Sequence, residues 1–190
     1  DPKYADAHYN MGNALAEQGK PEKSIKAYKK ALTKNPNHFK AYKNLGDLLA
    51  DEGKLEKSIN AYKKALTIKP DYAEVHRDLS TMIKYKLTDP QITIVQDLMT
   101  NPNINKRDKC SLYYTYGKMN EDIQRFGLAF ENYTAGGALR KEILSYDFEQ
   151  DQQLFEKIKA NLVQISNFAL KKFILGDPIK PATNKLAGLL

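Results

Sequence analysis

Residues 5–38 read ADAHYNMGNALAEQGKPEKSIKAYKKALTKNPNH, and residues 39–72 read FKAYKNLGDLLADEGKLEKSINAYKKALTIKPDY. The two segments align without a gap, so that many residues of the first recur 34 positions later in the second. Among them are Gly12 with Gly46 and Tyr28 with Tyr62. A period of this length, with small and aromatic residues at fixed positions, predicts a stack of helix pairs.

The recurring residues have physical roles in such a stack. We expect glycine where two helices cross closely, and tyrosine in the groove between neighbouring helices. Pro21 starts a second helix, where its missing N–H costs nothing, and Pro36 and Pro70 end second helices. The pattern predicts helices near residues 5–18, 21–34, 39–52, 55–68 and 73–85.

The pattern becomes irregular after residue 72. Ser80 occupies the glycine position, and Asp89-Pro90 is expected to start a helix that runs to about Thr100. Further along, Gly117 and Tyr133 restore the separation that glycine and tyrosine have in each regular repeat. We therefore expect a repeat remnant at 1–4, regular repeats at 5–38 and 39–72, two atypical repeats within 73–143, a capping helix at 148–176 and a tail at 177–190. The remnant suggests a fragment of a longer array.

These features resemble the tetratricopeptide repeat family, and the resemblance is specific over residues 1–72. It implies an all-α fold, an α-α superhelix or repeat solenoid, whose open end is covered by the C-terminal helix. It also implies a concave groove, lined by the first helix of each pair, that binds a peptide or helix of a partner protein. The groove candidates are Tyr9, Asn10, Asn13, Lys43, Asn44, Asp47, Arg77 and Asp78.

Three of these candidates share one repeat position. Asn10, Asn44 and Asp78 form a near-ladder that resembles the asparagines in the array of O-linked N-acetylglucosamine transferase. A side-chain amide both donates and accepts hydrogen bonds, which suits the backbone of an extended peptide. The alternative is that asparagine before the glycine motif is merely frequent in this repeat.

A second, narrower resemblance lies beyond the regular repeats. The segments HRDLSTMIKYKLTDPQI (76–92), YGKMNEDIQRFGLAFENYTAGGALRK (116–141) and SYDFEQDQQLFEKIKAN (145–161) resemble bacterial sulfotransferases that carry tetratricopeptide repeats. The resemblance implies an accessory region of such an enzyme. The family's GxPRSGT-type phosphosulfate loop has no counterpart here, because Gly176-Asp177-Pro178 is followed by no Arg-Ser-Gly. We therefore expect a non-catalytic chain that lacks the sulfotransferase domain.

The remaining patterns favour no cofactor, metal or catalytic site. The net charge is +7, but the lysines of the second helices lack interleaved aromatic residues, so a solvated outer face is favoured over nucleic-acid binding. No apolar run approaches the roughly 20 residues that span a membrane. The single cysteine, Cys110, is typical of a reducing compartment and predicts a cytoplasmic protein. Self-association through Leu162, Ile165, Phe168 and Phe173 is a further alternative.

Overall fold

The computed structural model of the protein describes residues 2–145, 152–153 and 155–163. The chain divides into two compact units, Asp1–Leu144 and Ser145–Leu190. The described residues form helices and no strands, which confirms the all-α fold. The helices of the first unit are α1 (Pro2–Glu17), α2 (Pro21–Lys34), α3 (Phe39–Asp51), α4 (Leu55–Ile68), α5 (Ala73–Ser80), α6 (Pro90–Met99), α7 (Lys106–Asp122) and α8 (Phe126–Ile143).

Three helical hairpins repeat one close contact. Helix α1 packs against α2, α3 against α4, and α7 against α8. In the second hairpin, a Cβ atom added to Gly46 would lie 2.6 Å from the ring of Tyr62. In the α7–α8 hairpin, a Cβ added to Gly117 would lie 2.7 Å from the ring of Tyr133. Glycine is therefore required where the first helix meets the tyrosine of the second, and Gly12 meets Tyr28 in the same way.

A buried serine secures the same crossing in the two regular hairpins. Ser24 Oγ donates a hydrogen bond to the carbonyl oxygen of Gly12 at 2.7 Å, and Ser58 Oγ donates to Gly46 at 2.7 Å. Both serines are fully buried, so the hydroxyl needs this partner. Ala129 takes the serine position in α8, where no hydroxyl has to be satisfied.

A residue with left-handed backbone conformation lies two positions after the first helix of each of the three hairpins. Gly19 has φ +67° and Gly53 has φ +72°, values that glycine adopts without strain. The next residue closes the turn, since Lys54 N donates to Leu49 O at 2.8 Å. In the α7–α8 hairpin the equivalent residue is Gln124, with φ 63°, so this turn carries backbone strain that the other two lack.

The predicted helix over 73–85 is wrong at its end, because α5 stops at Ser80. The hydroxyl of Ser80 donates to Arg77 O at 2.6 Å, and the hydroxyl of Thr81 donates to Asp78 O at 2.7 Å. These side chains satisfy carbonyl groups that a further helical turn would otherwise use. Helices α5 and α6 then both pack against α7, whereas the helix expected from Asp89-Pro90 is present as α6.

The second unit is described over a short part of its length. Residues 152–153 and 155–163 are helical, and Lys159 Nζ lies 3.7 Å from Glu156 Oε1. They fall within the predicted capping helix 148–176, whose other residues lie outside the described ranges, as does the predicted tail 177–190. The capping role stays a prediction.

Candidate partner-binding groove

The predicted groove is lined by α1, α3 and α5, the first helices of their repeats. The Asn44 side-chain amide of α3 donates to Asn13 Oδ1 of α1 at 2.9 Å. The ammonium group of Lys43 in α3 lies 3.0 Å from Glu74 Oε1 in α5. Polar contacts therefore join all three helices into one wall.

Asn13 is the centre of a hydrogen-bond network in the first repeat. Its Oδ1 atom accepts from the hydroxyl of Tyr28 at 2.8 Å as well as from Asn44. In the second repeat, the equivalent tyrosine, Tyr62, donates to Asp47 Oδ1 at 2.8 Å. Burial, together with the negative charge of Asp47, raises the pKa of Tyr62, so its hydroxyl stays a donor.

Lys43 is held between two carboxylates. Its Nζ atom lies 2.9 Å from Asp47 Oδ2 and 3.0 Å from Glu74 Oε1, and its side chain is 15% exposed. Burial alone would lower the pKa of Lys43, but the hydrogen bonds and charges of the two acids outweigh burial and raise it. The lysine is therefore a fixed, compensated cation rather than a free one.

Arg77 and Asp78 form a pair at the end of the wall. Arg77 Nη2 lies 2.9 Å from Asp78 Oδ1. Burial raises the pKa of Asp78, and the adjacent guanidinium of Arg77 opposes that rise. The pair carries no net charge when both groups are ionised.

Tyr9 and Asn10 differ in their surroundings. Tyr9 packs on His38, with ring centroids 4.6 Å apart, and His38 Nε2 lies 3.3 Å from Asp6 Oδ1. Asn10 is exposed, and its side chain makes no hydrogen bond to any other described residue. Asn10 is therefore the groove candidate whose amide is fully available to a partner.

The three residues of the predicted near-ladder, Asn10, Asn44 and Asp78, therefore have different surroundings in the structure. Asn44 already donates to Asn13 and, at 3.3 Å, to the hydroxyl of Tyr28, while Asp78 is paired with Arg77. Only Asn10 is without such a contact among the described residues. Partner binding by the eight candidates stays a prediction.

Two groove groups are missed when the repeat pattern alone is considered. The pattern identifies Tyr28 and Tyr62 as packing residues, yet their hydroxyls extend into the polar wall and hold Asn13 and Asp47. Their recurrence at one repeat position is a signal that could have identified them, since Asn13 and Asp47 also occupy equivalent positions.

The single thiol is buried, whereas the lysines of the second helices are exposed. Cys110 is buried, its Sγ lies 3.3 Å from Gly136 O, and burial raises the pKa of its thiol. Within the described ranges, no cluster of three or more His, Cys, Asp or Glu side chains is arranged to hold a metal. The lysines of the second helices are exposed, as a solvated outer face requires; they are Lys23, Lys26, Lys29, Lys30, Lys57, Lys63 and Lys64.

In the part of the chain that the structure describes, no helix combines the length and apolar character needed to cross a membrane.

Comparison with known protein families finds a match over part of the chain. The tetratricopeptide repeat family matches residues 9–73. This match ends before residue 76, so it does not bear on the predicted sulfotransferase resemblance, which stays a prediction. No curated protein sequence matches the chain significantly.

Several solved structures are similar to this chain. MamA 41-end from Desulfovibrio magneticus RS-1 is 16% identical, with a TM-score of 0.56 over 90% of this chain and 93% of that one. PilW, a widely conserved type IV pilus biogenesis factor, is 16% identical, with a TM-score of 0.57 over 72% of this chain and 62% of that one. BtubC from P. vanneervenii is 14% identical, with a TM-score of 0.57 over 77% and 67%. At these identities the likeness shows a shared helical-repeat fold.

Proposed function

We propose that the chain is a non-catalytic scaffold that binds a segment of a partner protein in the groove of α1, α3 and α5; the match of residues 9–73 to the tetratricopeptide repeat family supports this role. The segment is a peptide or helix that lies across the three helices. This function goes beyond the fold, which by itself identifies no partner.

The observation that carries the proposal is the set of polar contacts that join α1, α3 and α5 into one wall. Asn13 and Asn44 join α1 to α3, and Lys43 and Glu74 join α3 to α5. Side chains that are already held in place lose little conformational freedom when a partner arrives, so more of the contact energy contributes to affinity.

The charges of the wall favour a polar partner backbone over a strongly charged segment. Lys43 lies between Asp47 and Glu74, and Arg77 is paired with Asp78, so most charges are compensated within the groove. The amide of Asn10 is uncharged and has no hydrogen-bond partner among the described residues, so it can both donate to and accept from a peptide backbone. We expect affinities of roughly micromolar, about −8 kcal/mol, for a short peptide.

The test uses an array of random-sequence peptides probed with the intact chain. Asn10→Arg places a bulky cation in the groove and should weaken the strongest peptide interactions by about tenfold. Asn60→Arg is the matched control, because Asn60 is exposed on the second helix α4. Equal binding by the native chain and the Asn10→Arg variant would contradict the proposal.

The alternative role, as an accessory region of a sulfotransferase, stays a prediction. It rests on the resemblance of residues 76–159, and the family match covers residues 9–73 instead. Self-association also stays a prediction: Leu162 is 61% exposed, whereas Ile165, Phe168 and Phe173 lie outside the described residues. The cytoplasmic location rests on the single Cys110 and also stays a prediction.

A further inference from the structure

A cavity of about 530 Å³ opens between α4, α5 and α6. It exists because α5 ends at Ser80 and α6 begins only at Pro90, so that residues 81–89 cross the space non-helically. Its volume lies in the range of roughly 300–1,000 Å³ that is usual for ligand sites.

This cavity is separate from the groove. From α5 it takes His76 and Leu79, which lie on the opposite face of the helix from Arg77 and Asp78. No groove candidate lines it. A ligand here would therefore leave the polar wall free.

Much of the cavity lining is apolar. It includes Leu66 of α4, Leu79 of α5, Ile83 of the connecting segment and Ile94 of α6. Ile94 is 42% exposed, so apolar surface reaches the solvent at the rim. A cavity of about 150 Å³ lined by similar residues holds benzene in another protein, so this larger one has room for bulky aliphatic or aromatic side chains.

The histidine in the lining is uncharged. Gln91 Nε2 donates to His76 Nδ1 at 2.9 Å, and His76 Nε2 lies 2.7 Å from the carbonyl oxygen of Pro70. Because the amide nitrogen of Gln91 can only donate, Nδ1 accepts, and in this neutral tautomer Nε2 carries the proton and donates a hydrogen bond to the carbonyl oxygen of Pro70. A neutral imidazole is compatible with an apolar guest.

Two lysines border this apolar lining. Lys63 and Lys84 line the cavity, and neither makes an ion pair with another described residue. Asp89 is the single acidic residue among the lining residues, and its Oδ2 accepts from Lys86 N at 2.6 Å. Exposed Lys64 continues the basic surface along α4. The complementary ligand is therefore apolar at its centre and acidic at its flanks.

We propose that this cavity is a second protein-binding site, which takes a large apolar side chain carried on an acidic segment of a partner. The acidic residues pair with Lys63 and Lys84 while the apolar side chain fills the space beside Leu66 and Ile94. The site is independent of the groove, and both can be occupied at once.

The test measures binding of the labelled peptide EDELLEDE to the intact chain by fluorescence anisotropy at low salt. Ile94→Glu and Lys63→Glu should each weaken binding by about tenfold or more. Lys29→Glu is the matched control, because Lys29 occupies the position of Lys63 in the first repeat and does not line the cavity. All three positions are exposed, and circular dichroism checks that each variant is folded.

The outcomes distinguish the cavity from the groove and from the basic face. Retained binding by Lys29→Glu and by the groove variant Asn10→Arg supports the cavity. If Lys29→Glu and Lys63→Glu weakened peptide binding equally, the proposal would be overturned, and general electrostatic attraction to the basic face would explain the binding. Loss in Asn10→Arg would assign the peptide to the groove, and equal binding of the leucine-free peptide EDEAAEDE would also overturn the proposal.

Discussion

At the scale of single residues, the glycine at each helix crossing has a measurable consequence. A Cβ atom at Gly46 would lie 2.6 Å from Cε1 of Tyr62, so the tyrosine or the helix must move. We expect Gly46→Ala to lower the free energy of unfolding by about 1–3 kcal/mol, as overpacking usually does.

The control for that substitution lies in α8. A Cβ at Gly127 meets no atom within 4 Å, and Gly127 has a helical backbone. Gly127→Ala should therefore raise stability by no more than about 0.5–1 kcal/mol, because alanine favours the helix and Gly127 is only its second residue. Urea unfolding of both variants measures the two effects, and equal destabilisation would contradict the steric explanation.

His76 predicts how stability changes with pH. Burial lowers the pKa of His76 in the folded protein, and the hydrogen bond to Pro70 only partly opposes that effect. The unfolded chain therefore takes up a proton first as the pH falls below about 6.5. Stability is full above that pH and decreases below it until the folded-state pKa is reached.

The measurement compares urea midpoints of the native chain and His76→Gln at pH values above and below about 6.5. The native chain should lose more stability on acidification than the variant does. Identical pH slopes in the two proteins would show that His76 contributes nothing to the change.

At the scale of elements, the turn between α7 and α8 is the one of the three hairpin turns whose backbone is strained. Gln124 has φ 63°, where the other two hairpins have Gly19 and Gly53. Gln124→Gly should raise the free energy of unfolding by about 1 kcal/mol, because the left-handed conformation costs a side chain roughly 1–2 kcal/mol.

The reverse exchange supplies the control. Gly53→Gln puts a side chain at φ +72° and should destabilise the α3–α4 hairpin by a similar amount, about 1 kcal/mol. Thermal unfolding of both variants tests the pair. If Gln124→Gly lowered the melting temperature, backbone strain would not be the dominant effect there.

Much of the fold was predictable because residues that recur after 34 positions occupy equivalent packing positions in successive helix pairs. Gly12 and Gly46 marked the crossings, and α2, α3 and α4 begin where the period places them. Helix α1 begins at Pro2 instead of residue 5, so residues of the predicted remnant 1–4 belong to its first turn. The end of α5 was not predictable from apolar spacing, because it depends on hydroxyl groups of Ser80 and Thr81 that satisfy backbone carbonyls.

The repeat pattern selected the candidate residues of the predicted groove, but not the contacts between them. The first-helix rule located Asn13 and Asn44, yet their mutual hydrogen bond joins residues of different repeats. Such contacts depend on side-chain conformations that a repeat pattern does not encode. The same limit applies to Tyr28, whose hydroxyl reaches the network from the second helix.

At the scale of the whole molecule, contacts between repeats determine how cooperatively the stack unfolds. Lys43 joins α3 to α5 through Glu74 and is largely shielded from solvent. Lys43→Ala leaves Asp47 and Glu74 without their shared cation. We expect a loss of about 1–2 kcal/mol, between the values for exposed and fully buried pairs.

The same variant should also unfold less cooperatively, with a smaller dependence of the unfolding free energy on urea concentration. Lys40→Ala is the control, because Lys40 is exposed on the same helix and belongs to no ion pair among the described residues. An unchanged urea slope in Lys43→Ala would mean that repeats two and three are coupled by apolar packing alone.

Each tyrosine at a crossing of the regular hairpins contacts two parts of the structure, the helix crossing through its ring and the polar wall through its hydroxyl. The ring of Tyr28 covers Gly12, and its hydroxyl holds Asn13 in the groove. During evolution, a substitution that adapts the groove at this position would also alter how tightly the hairpin closes. In the proposed groove, recognition and folding would therefore depend on one shared residue, which would restrict how freely either trait can diverge.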